Sequence, residues 1–114
     1  TDVDGLQYFI NATGLTLTSN EVETIDLTAL TKLTSLNLNN NFIGSLDLTK
    51  NTELETFSYT ASSKVTGSQI LQSIDLSKNT KLKSVDLSKH TNAPFPIPAA
   101  IFNNLTTAKG VVSQ

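Results

Sequence analysis

The apolar residues of the chain recur at one fixed spacing. Residues 33–43 read LTSLNLNNNFI, which follows the pattern LxxLxLxxNxI. The same positions are filled twenty-one residues upstream, twenty-one residues downstream, and again after a further twenty-eight. They hold Ala12, Leu15, Leu17, Asn20 and Val22 upstream, Leu54, Phe57 and Tyr59 downstream, and finally Leu82, Val85 and Leu87. A period of this length indicates stacked repeats that bury their apolar sides against one another.

Each of the first three repeats also has a second half. Residues 23–28, 44–49 and 72–77 align without gaps as ETIDLT, GSLDLT and QSIDLS. The seven additional residues of the third repeat therefore lie between its two halves, where Ser62–Gln69 is polar and contains a glycine. This composition predicts a loop that protrudes from the surface without shifting the register of the later repeats.

The spacing within each half indicates extended strands. Leu36 and Leu38 are two residues apart and lie on one side of such a strand, with Asn37 on the other. Repeats stacked about 4.8 Å apart pair their backbones in parallel and bury the leucine columns. Two strands per repeat predict two parallel β-sheets, one for each set of halves. We expect Leu36 and Leu38 to be buried and Asn37 to be exposed.

Residues 12–92 resemble the leucine-rich-repeat family. The segments LTSLNLNNNFIGSLDLTKNTELETF and LQSIDLSKNTKLKSVDLSKH are similar to the 21-residue repeats of Bacteroidetes-type bacterial surface proteins. The resemblance implies a mainly β fold, a short leucine-rich-repeat solenoid with two parallel β-sheets and short helical caps at both ends. It also implies a secreted or surface-anchored recognition module that binds on its strand-lined concave face, and it supplies no catalytic residues.

One inward position of the repeat is polar. It holds Asn20 and Asn41, then Ser62 or a loop residue, and finally His90. In the family this asparagine bonds to backbone groups of neighbouring repeats that would otherwise be buried without partners. Either a ring nitrogen of His90 substitutes for the amide, or the array ends there; we favour the second alternative.

The two ends of the chain differ from the repeats, and residues 1–114 are expected to form one domain. Residues 1–11 are predicted to be an N-terminal cap, with a short helix over residues 3–11 that begins after Asp2. Residues 93–114 form a C-terminal cap or the start of a further repeat. In this segment we predict a helical turn that begins at Pro98 and a last strand near Gly110.

Composition narrows the possible functions. The chain is 38% hydrophobic and 16% charged, with a formal net charge of -2 and no cysteine. Disulfide bonds and cysteine-ligated zinc are therefore excluded. No broad cationic surface is available for nucleic acid, and no apolar stretch is long enough for membrane insertion.

Two features invite a catalytic or metal-binding interpretation. Asp26, Asp47 and Asp75 fall in one column, which could hold a cation or an acid–base pair. Alternatively, each carboxylate caps the following turn and is solvated, and we favour this interpretation. His90 is the only histidine and has no recognisable nucleophile or second metal ligand in sequence. We expect no enzyme activity, no metal and no cofactor.

The sequence therefore predicts a non-catalytic recognition module of a secreted or surface bacterial protein, with a protein or a glycan as partner. The alternative is a structural spacer, or part of a longer repeat array with little binding of its own. An extracellular or cell-surface location is expected. The candidate binding face comprises Thr34, Ser35, Asn37, Asn39, Asn40, Glu55, Thr56, Ser58, Thr60, Lys83, Ser84, Asp86 and Ser88.

Overall fold

The computed structural model describes residues 8–19, 21–62 and 70–114. Within these ranges the fold is mainly β, with seven short strands and one short helix. The elements in chain order are β1 (Gly14–Thr16), β2 (Ser35–Asn37), β3 (Thr56–Ser58), β4 (Ser84–Asp86), β5 (Phe95–Ile97), α1 (Ala99–Phe102), β6 (Thr107–Lys109) and β7 (Val111–Ser113).

Five of the strands form one parallel sheet in the order β1-β2-β3-β4-β6. The central residues pair in register from strand to strand, in the series Leu15, Leu36, Phe57, Val85 and Ala108. Parallel pairing at the predicted register is thus confirmed. The step from β3 to β4 contains the insertion of the third repeat and leaves this register unchanged, as expected for a loop outside the core.

The core lies behind this sheet. Leu36 and Leu38 are buried, as predicted, and so are Phe57 and Tyr59 in the next repeat. Each of these side chains lies one strand spacing from its equivalent, so the columns exclude water from one another along the stack. Full burial of one such side chain contributes about 1.5–3 kcal/mol.

The second halves of the repeats do not form the predicted second sheet. The structure describes residues 23–28, 44–49 and 72–77 completely, and it places no β-strand in them. Their leucines are buried nonetheless, so the apolar pattern was interpreted correctly and the backbone pairing was not. The second sheet that does form is two-stranded and pairs β5 with β7 in parallel.

Side-chain amides connect the second halves of successive repeats. The Nδ2 atom of Asn51 donates to the carbonyl oxygens of Leu27 (3.0 Å) and Leu30 (2.9 Å) in the preceding repeat. Asn79 likewise donates to the carbonyl oxygen of Leu48 at 3.0 Å. Asparagine side chains therefore link carbonyl groups of the second halves across successive repeats.

The C-terminal segment combines the predicted helical turn with two further strands. Helix α1 begins directly after Pro98, whose missing N–H is tolerated at a helix start. The helix joins β5 to β6, so it lies within the array and not at its end. Gly110 separates β6 from β7 with a φ of +71°, and a Cβ there would lie 2.2 Å from the Leu87 carbonyl oxygen.

Parts of three predictions lie outside the described residues. The predicted helix over residues 3–11 overlaps residues 1–7, which are not described, and Asn20 and residues 63–69 are not described either. In the described remainder of the N-terminal cap, Tyr8, Phe9 and Ile10 are exposed and belong to no buried cluster. The register between β3 and β4 is the part of the loop prediction that the structure confirms.

Candidate functional site

The thirteen predicted binding residues lie along the outer side of the five-stranded sheet and just before or after its strands. We call this surface the polar sheet face: Thr34, Ser35, Asn37, Asn39, Asn40, Glu55, Thr56, Ser58, Thr60, Lys83, Ser84, Asp86 and Ser88. Because the central residues of β2, β3 and β4 are buried, the two neighbours of each point to the opposite side. The structure thus brings the strand residues of the prediction into two adjacent columns.

The first column contains only hydroxyl side chains. Ser35, Thr56 and Ser84 pair in register on β2, β3 and β4. Neighbouring strands place equivalent residues about 4.8 Å apart. Among the described residues, no hydrogen-bond partner is found for these three hydroxyl groups, so they are available to a ligand. We call them the hydroxyl column.

The second column is more buried and is partly satisfied internally. It contains Asn37, Ser58 and Asp86, all half-buried. The prediction that Asn37 is exposed was therefore wrong in degree. Its Oδ1 atom accepts a hydrogen bond from the Asn39 N–H at 3.0 Å, which holds the side chain against the backbone.

At the ends of the strands, side chains form hydrogen bonds with the neighbouring repeat or within their own repeat. Asn39 Oδ1 accepts hydrogen bonds from the Ser58 hydroxyl and the Thr60 N–H, both at 2.8 Å. Asp86 Oδ1 accepts from the Ser88 hydroxyl at 2.7 Å and from the Ser88 N–H at 3.1 Å. These bonds hold the side chains of the face in fixed positions, and they also occupy groups that a ligand would otherwise use.

The remaining predicted residues differ in role. The Thr34 hydroxyl donates to the Thr13 carbonyl oxygen at 3.1 Å and stabilises the joint between the first two repeats. Asn40 has a φ of 62° and occupies a turn position at which Ser19 and Lys89 are also left-handed. Asparagine tolerates this conformation better than most residues. Asn40 therefore has a structural role in the turn, in addition to its predicted place in the binding face.

Two ion pairs border the polar sheet face at the N-terminal ends of the strands. Lys83 Nζ lies 3.7 Å from Glu55 Oε1, and Lys81 Nζ lies 2.7 Å from Glu53 Oε1. The hydrogen bond that Lys81 donates to Glu53 raises the pKa of Lys81. A cleft of about 440 Å³ opens beside these pairs and has Leu82 among its lining residues. Both pairs are exposed, so each adds little to stability.

The aspartate column consists of turn-capping residues, as favoured from the sequence. Asp26 Oδ1 accepts hydrogen bonds from the Thr28 hydroxyl (2.6 Å) and the Thr28 N–H (3.0 Å). Asp47 and Asp75 make the same two bonds with the residue two positions on. Both hydrogen bonds lower the pKa of each carboxyl group, and the bond from the hydroxyl group has the larger effect. Among the described residues there is no group of three or more His, Cys, Asp or Glu placed to hold a metal ion.

The inward polar position behaves as predicted in the second repeat. Asn41 is fully buried, and its Nδ2 atom donates to the carbonyl oxygens of Leu17 and Leu38. Its Oδ1 atom accepts a hydrogen bond from the Val22 N–H at 3.0 Å. One side chain thus satisfies backbone groups of two successive repeats.

The third repeat has Ser62 at this position, and Tyr59 takes over part of the role. The Tyr59 hydroxyl accepts from the Ile43 N–H at 2.7 Å and donates to the Ile43 carbonyl oxygen at 2.6 Å. Ile43 is the equivalent of Val22, one repeat later. Spacing in the sequence placed Tyr59 only in the apolar column and gave no sign of the role of its hydroxyl.

His90 completes the series in the fourth repeat. It is 8% exposed, and its Nε2 atom lies 2.6 Å from the Tyr59 carbonyl oxygen, which is the equivalent of Leu17. The preference for an array that ends at His90 was wrong, because His90 fills the inward position and β6 continues the sheet beyond it. Sequence spacing alone offered both alternatives.

A second inward column was missed altogether. Asn51 and Asn79 are fully buried and bond to backbone carbonyls of the preceding repeat. The signal was present in the repeated phrases LTKN and LSKN. It went unrecognised because lysine and asparagine side by side are typical of a solvated turn.

Within the described ranges, no helix has the length and apolar character needed to cross a membrane. Comparison with known protein families, with curated proteins and with solved structures found no match.

Proposed function

We propose that the chain is a non-catalytic recognition module that binds a protein or a glycan through the polar sheet face. The hydroxyl column is the observation that carries this proposal. Ser35, Thr56 and Ser84 point to one side of a rigid sheet, and their hydroxyl groups can each donate and accept a hydrogen bond. Preorganised polar groups on a rigid scaffold lower the entropic cost of binding.

The proposal includes a leucine-rich-repeat solenoid with a secreted or surface-exposed bacterial location. Support comes from parallel strands one repeat apart and from the buried Asn41, which serves backbone groups of neighbouring repeats. Such an architecture builds an extended binding surface from equivalent positions of successive repeats.

The chemistry of the face favours an extended polar ligand. The hydroxyl column has a spacing of about 4.8 Å, which suits a chain that presents polar groups repeatedly to successive strands. The predicted residues include no Trp, Tyr or Arg, the residues that dominate tight protein interfaces. Affinity would therefore depend on several polar contacts made together and not on a single aromatic anchor.

Binding to defined arrays of glycans and of purified extracellular proteins tests the proposal. Thr56 is exposed at the centre of the hydroxyl column, so Thr56→Arg should weaken any bound probe at least tenfold, measured by biolayer interferometry. Ser45→Arg is the matched control, because Ser45 is exposed but lies in the second half of its repeat. Circular dichroism confirms that both variants fold. A probe that binds Thr56→Arg as tightly as the unmodified chain contradicts the assignment of the face.

One observation favours the alternative function, a structural spacer with little binding of its own. Asn39, Ser58, Asp86 and Ser88 already bond to each other or to nearby backbone groups, which reduces what the face can offer a ligand. Absence of binding to every probe in both arrays would favour the spacer. Binding that Thr56→Arg abolishes and Ser45→Arg preserves would exclude it.

A further inference from the structure

The joint between the third and fourth repeats is built differently from the joint between the first and second. In the earlier joint, the amide of Asn41 donates to the Leu17 carbonyl oxygen. In the later joint, the equivalent contact joins the His90 ring to the Tyr59 carbonyl oxygen at 2.6 Å. An amide that cannot titrate is thus replaced by an imidazole that can.

The hydrogen bond decides which form of His90 the folded protein holds. A carbonyl oxygen only accepts hydrogen bonds, so Nε2 carries a proton and the neutral ring has Nδ1 as its unprotonated atom. No hydrogen bond to Nδ1 is found within the part of the chain that the structure describes. A proton added there would place a charge and an additional donor on a nearly buried ring.

The surroundings of the ring are mostly aromatic. The ring centroid of Tyr59 lies 4.7 Å away and that of Phe95 lies 5.7 Å away, both edge to face. Asp86, on β4, is the nearby anion and favours the charged ring, whereas Lys89 is the adjacent residue in the chain and is exposed. The Tyr59 phenol stays neutral because burial raises its pKa to about 12. One partly solvated carboxylate does not replace the water that a charged imidazole loses on burial.

We propose that His90 is an acid-sensitive joint, at which uptake of one proton loosens the fourth repeat from the third. In a stack whose strands pair only with their neighbours, one joint can open while the others remain closed. Thr60 and Ser88 of the polar sheet face lie on opposite sides of this joint, in the third and the fourth repeat. The inference is independent of whether that face binds a ligand.

The pH window follows from the direction of the shift. Burial lowers the pKa of His90 from its ordinary value of 6.5, more than the Tyr59 hydrogen bond and Asp86 raise it. The opened state binds the proton more readily than the closed state. The joint is therefore at full strength above pH 6.5 and weakens as the pH falls from 6.5 towards the pKa of the folded protein.

Amide hydrogen exchange measured by NMR between pH 7.5 and 5 tests the proposal. The Tyr59 and Ala61 amides donate to the Asp86 and Ser88 carbonyls across this joint. After correction for the intrinsic rate, their protection should fall by up to tenfold per pH unit below 6.5. The Leu17 and Ser19 amides cross the β1–β2 joint and are the internal control, with protection constant within about twofold. The corresponding loss at both joints would overturn the proposal.

His90→Asn is the matched variant, since asparagine fills the equivalent inward position at Asn41. Its exchange should show no additional loss at Tyr59 and Ala61 below pH 6.5, and a loss as steep as in the unmodified chain would contradict the role of His90. The ring can also be titrated directly in the unmodified protein, because the chain has one histidine. A titration midpoint at or above 6.5 overturns the proposal even if the variant fails to fold.

Discussion

The hydroxyl group of Tyr59 supports the strongest stability prediction. Tyr59 is fully buried, and its hydroxyl bonds to both the N–H and the carbonyl oxygen of Ile43. Tyr59→Phe removes one oxygen atom and keeps the aromatic ring in the core. The substitution therefore separates the hydrogen bonds of Tyr59 from its packing.

The magnitude follows from the groups left behind. A buried backbone donor or acceptor without a partner costs about 1–3 kcal/mol. Two such groups, one of which can relax towards other donors, give an expected loss of about 3 kcal/mol in the free energy of unfolding. Domains of this size unfold with about 5–15 kcal/mol, so the loss is a large share of the total. At about 2 kcal/mol per molar urea, the midpoint should fall by about 1.5 M.

Urea unfolding followed by circular dichroism provides the measurement. The control is Tyr8→Phe, which removes the same atom from a residue that is 81% exposed and should leave the midpoint unchanged. Similar midpoints for the two variants would refute the view that Tyr59 replaces the inward asparagine. A smaller slope for Tyr59→Phe would show instead that the variant no longer unfolds in a single cooperative step.

The phenol also predicts an alkaline dependence. Burial raises the pKa of Tyr59 to about 12, so the folded protein keeps a proton that the unfolded chain releases near pH 10. Stability should be unaffected by this group below pH 10 and should fall between pH 10 and 12. Tyr59→Phe should remove this part of the alkaline loss, as measured by urea unfolding at successive pH values.

Three further predictions test other parts of the fold. Asn41→Ala should lower the free energy of unfolding by about 2–4 kcal/mol and Asn37→Ala by less than about 1, because only Asn41 serves buried backbone groups. Equal shifts in urea midpoint would refute the inward asparagine. Gly110→Ala should destabilise by more than about 2 kcal/mol, since it combines a left-handed φ with a backbone overlap, whereas Gly14→Ala meets nothing within 4 Å and should be neutral in thermal unfolding. Deleting residues 62–67 should leave the circular dichroism spectrum unchanged, because the register resumes after the insertion; an unfolded product would show that the third repeat was aligned incorrectly.

Several features of the fold were predictable because they depend on local spacing. The alternation at Leu36, Asn37 and Leu38 indicates which side of a strand is buried. Equal spacing of such segments then predicts parallel pairing in register, which the structure confirms. The turn-capping role of Asp47 was also predictable, because its hydrogen-bond partner lies two residues away in the chain.

The candidate site was predictable in part, as far as it depends on the same local spacing. Positions beside the buried central residues of the strands had to face outward, so Ser35, Thr56 and Ser84 could be assigned together. Spacing could not show that Ser58 bonds to Asn39 of the preceding repeat, and it therefore overestimated the free polar surface. The exposure of Asn37 was overestimated for a different reason, because the local hydrogen bond from the Asn39 N–H to Asn37 Oδ1 was not recognised.

The sequence by itself determined the period, the buried columns and the outward face, because each depends on residues a few positions apart. Only the tertiary structure decided how the polar groups of one repeat meet those of the next. Asn51 bonds to the Leu27 carbonyl, Tyr59 to Ile43 and His90 to Tyr59, across separations of 16 to 31 residues. Every buried backbone group needs a partner, but several side chains compete to supply it. The outcome depends on which side chains of neighbouring repeats come within hydrogen-bond distance, and the periodicity of a sequence does not contain these distances.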